Sequence, residues 1–487
     1  MTELIKKFST ELLPDGGTVI AAVSGGADSM LLLYLLNEIK NSGIKDIALI
    51  AAHFNHGIRK NAVRDETLVK DYCLKNAIPF RTGRGNVPEY ADRMKLSTET
   101  AARELRYGFL SSLSQDEKSN NGNKTVIATA HHMDDNAETI LLNLIRGCGM
   151  SGLIGIKPSS IMGIGGCHTE IIRPMLLFSK ADIVKAAEER GIPFVHDETN
   201  DIADASRNRL RLEIIPLLRG INPSISETLT RNASILAEDE AFFGSYIENE
   251  YGSYVRKTDG IITADKARIA AAPLAVKRRI AKHILNLSGI EKDYSFSDIE
   301  RTVSLFDGTA GRSEKVGSIL IQANACTVDF LSGDVLYLAA LEEGQLLFSA
   351  ERDDFAKLGA VKTPTGELEV SLLDGSEAER VKRELLSGAR IEKEKGYLDF
   401  SKLGDEIIVR TKRDGDFFYP VGAPGRKNLG DIMTDIKLPL HRRRTLPIVE
   451  SGGEIVFVPN IRISETVRVT EGTERILYLL YKDKLSK

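Results

Sequence analysis

Along the first 216 residues, short unbroken apolar runs alternate with longer stretches whose apolar residues recur every three or four positions. The runs Thr18–Ser24, Asp46–Phe54, Pro79–Arg84, Thr125–Thr129 and Ile171–Arg173 predict strands. The periodic stretches Ser29–Asn41, Arg64–Asn76, Thr98–Leu113, Asp134–Arg146 and Lys180–Arg190 predict helices. Strands apolar on both faces, alternating with amphipathic helices, predict an α/β parallel sheet covered on both sides. Its ligand should sit at the carboxyl ends of the strands. Ser114–Lys124 and Lys157–Glu170 read as surface loops, the first mobile. Beyond Pro216 the pattern changes: Ile225–Val255 and Pro273–Leu287 read as helices, with short β segments between about Gly308 and Ala350. From Ile407 short strands alternate with Gly, Pro and Asp turns. This predicts three parts: an α/β part over 1–222, a mostly helical part over 223–350 and an α+β part over 351–487.

Composition narrows the class. The chain has 487 residues, 42% apolar and 28% charged, as in an ordinary globular protein of about three domains. Met1–Pro14 has no apolar core of a signal peptide, and no apolar run could span a bilayer. Cys73, Cys148, Cys167 and Cys326 are scattered and form no C-x-x-C. That pattern predicts a cytoplasmic protein with neither disulfides nor structural zinc. The net charge of −4 does not advertise nucleic-acid binding, but basic residues cluster locally. Nine Lys or Arg against four Asp fall between Ile407 and Arg444, and four Arg against one Glu between Ser206 and Arg219. Each cluster is either a solvated face or a contact for phosphates.

Candidate chemistry concentrates in a few segments. Ser24-Gly25-Gly26-Ala27-Asp28-Ser29 joins a strand to a helix. Such a glycine turn aims successive N–H groups at one point, and the helix N-terminus adds positive potential, which suits a phosphate. No G-x-x-x-x-G-K-[ST] is present, so this is not the lysine-bearing P-loop. Asp28 inside an anion cradle makes sense if Mg²⁺ bridges it to phosphates. His53 and Asn55 end the second strand beside this turn; they cup a nucleoside or merely leave the sheet. Thr98 is a plausible N-cap, and Glu99, Arg103 and Arg106 then share one helical stripe, either rimming a cleft or forming surface ion pairs. In His131-His132-Met133-Asp134-Asp135-Asn136-Ala137-Glu138, a helix opens with three carboxylates in its first turns. The spacing is not H-E-x-x-H and no cysteine joins it, so oxygen coordination of Mg²⁺ and handling of an amine fit better than zinc. Asp197-Glu198-Thr199-Asn200 followed by Arg207, Arg209 and Arg211 could bring arginine to a phosphate.

The segment SGGADS resembles the PP-loop of ATP pyrophosphatases, which cleave ATP between its α- and β-phosphates. Together with HFNHGIR, TETAARELRY, ATAHHMDDNAETILLNLIRG, RPMLLFSK and HDETN…RNRLR, it resembles the tRNA(Ile)-lysidine synthetase family. PLAVKRRIAKHIL resembles that family's helical substrate-binding region, and VRTKRDGDFFYPVGAPGRKNLGDIMTDIKLPLHRRRTLPIV its tRNA-binding C-terminal domain. The resemblance implies an adenine nucleotide alpha hydrolase-like PP-loop domain, ATP and Mg²⁺ as cofactors, and a ligase acting on isoleucine tRNA with a CAU anticodon and free L-lysine. It assigns the ATP phosphates to Ser24–Ser29, the metal to Asp28 and Asp135, and the lysine amine to Glu138. Arg103 or Arg106, and Arg207, would stabilise charge at the activated base. Arg413, Arg426, Lys427, Arg442, Arg443 and Arg444 would grip tRNA phosphates.

This chain departs from the family pattern at several positions. Asn136 stands where Gln is usual, Glu198 where Ser is common, Cys148 at a small polar position, and Asn460 where glycine is expected, although Asn tolerates positive φ. A tRNA thiolase would need reactive cysteines, and a GMP or NAD synthetase an amide-handling partner; neither is visible. A non-catalytic tRNA-binding protein would not need Asp28, Asp134, Asp135 and Glu138 together. The oligomeric state is left open, a homodimer included.

Overall fold

A computed structural model describes residues 2–57, 62–164, 167–195, 205–258, 260–290, 294–333, 335–339 and 341–484. The chain divides into two compact units, residues 1–242 and 243–487.

The first unit contains α1 (Thr2–Lys7), β1 (Gly17–Ala22), α2 (Ala27–Asn41), β2 (Ile47–Asn55), α3 (Ala62–Lys75), β3 (Phe80–Arg84), α4 (Val87–Met94) and α5 (Thr98–Asn121). There follow β4 (Thr125–Ala128), α6 (Met133–Ile145), α7 (Met150–Leu153), β5 (Ser159–Ile164), β6 (Cys167–Ile172) and α8 (Lys180–Glu189). The remaining elements are α9 (Ala205–Arg209), one π-helical stretch Leu210–Ile214, α10 (Ile215–Ile221) and the start of α11 (Ile225–Tyr251). The strands form one sheet in the order β3-β2-β1-β4-β6-β5, parallel except for the β5–β6 pair. Successive residues of β1 serve opposite faces. Val19 and Ala21 pack with Leu31, Leu35 and Ile183 on one side, and Ile20 packs with Tyr107, Leu110 and Ile127 on the other. The strand order reverses direction at β1, whose neighbours are β2 and β4. The crevice beyond these carboxyl ends is where such sheets bind ligands.

The five predicted strands and five predicted helices are all present, with ends shifted by a few residues. Two predicted loops are not loops. Helix α5 continues through Ser114 to Asn121, with Ser114 itself buried against the unit. Its polar end is helix that projects past the core and has little to bury. Within Lys157–Glu170, Ser159–Ile164 pairs antiparallel with β6 as the edge strand of the sheet. The cap of α5 is Ser97, whose hydroxyl accepts from the N–H of Thr100; Thr98 is the first helical residue.

In the second unit, β7 (Val255–Thr258), β8 (Ile261–Asp265), β9 (Ser313–Val316), β10 (Ile319–Ala323) and β11 (Thr327–Leu331) form an antiparallel sheet in the order β7-β8-β11-β10-β9. Helices α12 (Lys266–Ala270), α13 (Leu274–Leu287) and α14 (Phe296–Asp307) accompany it, and Ile280, Ile284, Phe306, Ile321 and Phe330 share its core. The middle of the chain thus carries helices on a sheet, with β7 and β8 in a stretch that gave no strand signal. Beyond it lie a five-stranded sheet built on Glu406–Arg410, Ile448–Ser451 and Glu454–Val458, and a four-stranded sheet built on Gly366–Leu373 and Ile476–Asp483. Val409, Ile448, Phe457, Leu368 and Leu479 join both in one core. Asn460 takes φ +64°, the left-handed conformation expected at that position.

Candidate functional site

The turn between β1 and α2 is held from within. Ser29 Oγ accepts from the N–H groups of Ser24 (3.1 Å) and Gly25 (3.2 Å) and donates to the carbonyl of Gly26 (3.0 Å). Gly25 has φ +98°, a conformation that side chains rarely adopt. Gly26 is the N-cap of α2 and supplies no side-chain cap, so the first turn of that helix has no side-chain acceptor from its N-cap. Ser24 stays exposed at the mouth, and the N–H of Val195 closes the far side on the carbonyl of Gly25 (2.9 Å). Ser29 therefore braces the cradle, and Ser24 is the hydroxyl left at its opening.

Asp28 points from this turn toward the start of α6. Its two carboxylate oxygens accept from Lys180 Nζ at 2.7 and 2.8 Å, and His132 Nε2 lies 3.9 Å away. Asp135 Oδ2 lies 3.4 Å from the same nitrogen and accepts from the backbone N–H of His132 (3.0 Å). His132 Nδ1 in turn accepts from the N–H of Asp135 at 3.4 Å, which assigns the ring proton to Nε2, between the two carboxylates. In the sequence His132 stands out only as part of the motif; in the structure its Nε2 lies between Asp28 and Asp135.

Asp134, one residue earlier, faces the other way. It is buried and accepts from the N–H of Lys180 (2.8 Å), Ser226 Oγ (2.8 Å) and Arg219 Nη2 (2.6 Å), tying α6 to α8, α10 and α11. Burial alone would raise its pKa, but these donors together with His132 and Arg219 hold it below the usual carboxylate range. Glu138, one turn further along α6, is buried, and Arg211 holds it by two bonds, Nε at 2.6 Å and Nη2 at 3.2 Å. Burial pushes the Glu138 carboxyl up, and Arg211 opposes that shift only in part. Arg211 also comes within 3.5 Å of Asp135. It projects from the π-helical stretch, a local widening of the helix of the kind often found at functional sites. The departure Asn136 is accommodated: its Oδ1 accepts from the N–H of Ile156 (2.7 Å), and its Nδ2 donates to Thr230 (3.4 Å).

A second, positively charged wall borders this group. Arg103 and Arg106 lie against the ring of Tyr107, at 5.1 and 5.0 Å from its centroid. His131 donates to or accepts from Thr129 Oγ1 (2.9 Å). Burial, opposed by Asp135 but reinforced by Arg173, Arg106 and Arg103, lowers its pKa to about 4, so its ring is neutral at pH 7. Arg207 buries its Nε without a hydrogen-bond partner. Of the two other predicted nucleotide contacts, His53 Nδ1 pairs with the carbonyl of Val23 (2.9 Å). Asn55 spans Gly57 (3.0 Å) and Glu66 (3.2 Å). Both are buried and shape the ends of β1 and β2. The turn Asp197–Asn200 lies outside the described residues. Nothing in the sequence pointed to the contacts that Lys180, Arg211, Arg219 and Ser226 make here, because their partners lie 46 to 152 residues away.

Among the described residues, no three His, Cys, Asp or Glu form a complete metal cage. Mg²⁺ is commonly held by one or two carboxylates together with substrate phosphates. Asp28 and Asp135, oxygen donors on either side of His132 and already attracting cationic groups, are the pair that fits it.

In the second unit the basic residues sort into two sets. Arg410 is buried and bonded to Asp416 (2.9 Å twice) and Glu450 (2.6 Å). Arg442 is mostly buried and paired with Asp483, and Arg443 donates to the carbonyl of Leu438 (2.9 Å) and to Thr434 (3.0 Å). Arg413, Arg426, Lys427 and Arg444 are exposed, Arg413 lying 3.8 Å from Glu450 and Arg426 pairing with Glu454.

The parallel sheet, the strand-to-helix glycine turn and the acidic start of α6 define a PP-loop nucleotide-binding protein. Residues 1–218 match the PP-loop domain, and residues 407–479 match the TilS substrate C-terminal domain. The tRNA(Ile)-lysidine synthase of Dehalococcoides mccartyi (strain CBDB1) is 30% identical over 489 residues, covering 99% of each chain. That of Clostridium acetobutylicum is 28% identical, covering 96% of this chain and 95% of its own. Among solved structures, the U34-tRNA thiolase NcsA from Methanococcus maripaludis is 21% identical over 49% of this chain and 78% of its own, with a TM-score of 0.40. The chain belongs to the tRNA(Ile)-lysidine synthase family.

Proposed function

We propose that this chain converts the wobble cytidine of an isoleucine tRNA with a CAU anticodon to lysidine, using ATP and free L-lysine. The observation that carries the reading is the convergence of Asp28, Asp135 and Glu138 on one crevice beside the uncapped start of α2. The Ser24–Ser29 turn would hold the phosphates. The cytidine O2 attacks the α-phosphorus, the bond to the bridging oxygen of the β-phosphate breaks, and pyrophosphate leaves. The lysine ε-amine, once it has lost a proton, then attacks C2, and the C2–O bond breaks to release AMP. Asp28 and Asp135 would hold Mg²⁺, which when bound neutralises charge on the phosphates.

Glu138 and Asp135 offer carboxylates to the incoming ammonium, and the raised pKa of Glu138 suits a group that takes up the amine proton. Lysine must compete there with Arg211, the cation now seated on Glu138. Arg103 or Arg106, and Arg207, would stabilise the charge on the adenylated base. The exposed Arg413, Arg426, Lys427 and Arg444 are the phosphate contacts for tRNA, whereas Arg442 and Arg443 serve mainly to hold their own helix. The target base should be splayed from the anticodon stack to reach the crevice.

The test is incorporation of labelled lysine into unmodified isoleucine tRNA bearing CAU, with and without ATP, beside a methionine tRNA with the same anticodon. ATP-dependent labelling of the isoleucine tRNA alone is expected. Release of AMP without lysine incorporation would move the reaction to another acceptor.

A further inference from the structure

Asp28 does not wait for a cation: Lys180 already supplies one. Its Nζ reaches both Asp28 oxygens at 2.7 and 2.8 Å, across 152 residues of sequence. The lysine backbone is fixed independently. Its N–H donates to Asp134 (2.8 Å), and Ser179 and Asp182 close a reciprocal cap around the start of α8. Only the side chain is therefore free to swing, and about half of it is exposed to solvent. The same carboxylate is the one the proposed function assigns to Mg²⁺, on which this inference rests. A divalent ion and an ammonium cannot both occupy the two oxygens.

We propose that Lys180 is a resident counter-ion that yields Asp28 to the incoming metal–nucleotide and transfers its ammonium to the ATP phosphates. Two features favour an exchange over a fixed ion pair. The pair is solvent-exposed on the lysine side, so the attraction holding it is small. Its release also leaves a positive charge beside the open first turn of α2, where a polyphosphate would dock. Lys180 thus has two opposite effects: it weakens binding of a bare divalent ion and strengthens binding of the nucleotide. A residue that merely supported the fold would move both in one direction.

The experiment uses the full chain with Mn²⁺ as the probe, titrated without nucleotide and followed by the loss of its free paramagnetic signal. ATP binding is measured separately by calorimetry in excess Mn²⁺. Lys180→Met should tighten Mn²⁺ about two- to fivefold, because the competing ion pair is gone. It should weaken ATP about tenfold or more, because a charge-assisted contact is lost. Lys180→Arg should keep both values near wild type. Mn²⁺ binding that is unchanged or weaker in Lys180→Met, or ATP binding that is unchanged, would overturn the exchange. Asp28→Asn separates the two claims: it should abolish Mn²⁺ binding, so that the free Mn²⁺ signal is no longer lost on titration. If it does not, the metal role of Asp28 fails first, and the exchange with it.

Discussion

Replacing Asp134 and Asp135 one at a time should give opposite phenotypes, although the two carboxylates are adjacent. In Asp134→Asn the amide can still accept from the Lys180 N–H, which leaves its NH2 group facing Ser226 and Arg219. Ser226 can rotate to accept, but the Arg219 contact is lost. A charge-assisted bond to a buried acceptor contributes about 1.5–3 kcal/mol. Arg219 is half exposed and can turn to water, so the net cost should be nearer about 2 kcal/mol. For a unit of this size that lowers the melting temperature by about 4–8 °C.

The difference should depend on pH with a definite sign. The Asp134 pKa is lower folded than unfolded, so its stabilisation is complete above the unfolded value. It is lost as the pH falls through the depressed folded value, where wild type and variant should converge. Asp135→Asn keeps an oxygen at the third residue of α6 to accept from the His132 N–H and should melt within about 1 °C of wild type, because that bond of the capping box survives, while losing turnover. Thermal unfolding of the full chain between acid and neutral pH, with lysine-incorporation assays alongside, distinguishes them. A Asp134→Asn variant as stable as wild type, or a Asp135→Asn variant that loses as much stability and keeps turnover, would refute the division of labour.

Glu138→Gln should retain tRNA-dependent pyrophosphate release but raise KM for lysine at least tenfold, read by comparing the two assays. Combined Ala substitution of Arg413, Arg426 and Lys427 should reduce the slope of log affinity for tRNA against log salt by about 2–3, at about 0.7–0.9 per phosphate contact, with little change in melting. Arg410→Met should do the reverse. It strands buried Asp416 and Glu450, so it should cost about 3–5 kcal/mol in urea unfolding.

Much of this was legible from local pattern. β1 and β4 are buried along their lengths, and unbroken apolar runs announced them. Gly25 at φ +98° and Asn460 at φ +64° sit where the residue types permit those conformations. Helix α5 outruns its sequence signal because Ser114–Asn121 lacks the apolar stripe that marks an amphipathic helix. The edge strand β5 resembles a loop in sequence because Gly163 and two serines interrupt its apolar alternation. Charge partnerships were the least legible. The acidic cluster at the start of α6 was plain, but which acid was structural was not. Lys180, Arg211, Arg219 and Ser226 reach it through the tertiary fold, and spacing along the chain says nothing of that. The same holds for the basic C-terminal stretch, where Arg410 and Arg413 look alike in sequence and only one is buried.

The central claim is that the cytidine O2 is activated by adenylation at this site before lysine attacks. A heavy-oxygen label at O2 of the wobble cytidine tests it most directly, with the released AMP weighed by mass spectrometry. The account predicts that the label leaves in the AMP phosphate, one atom per lysidine formed. Lysidine accompanied by unlabelled AMP would contradict it.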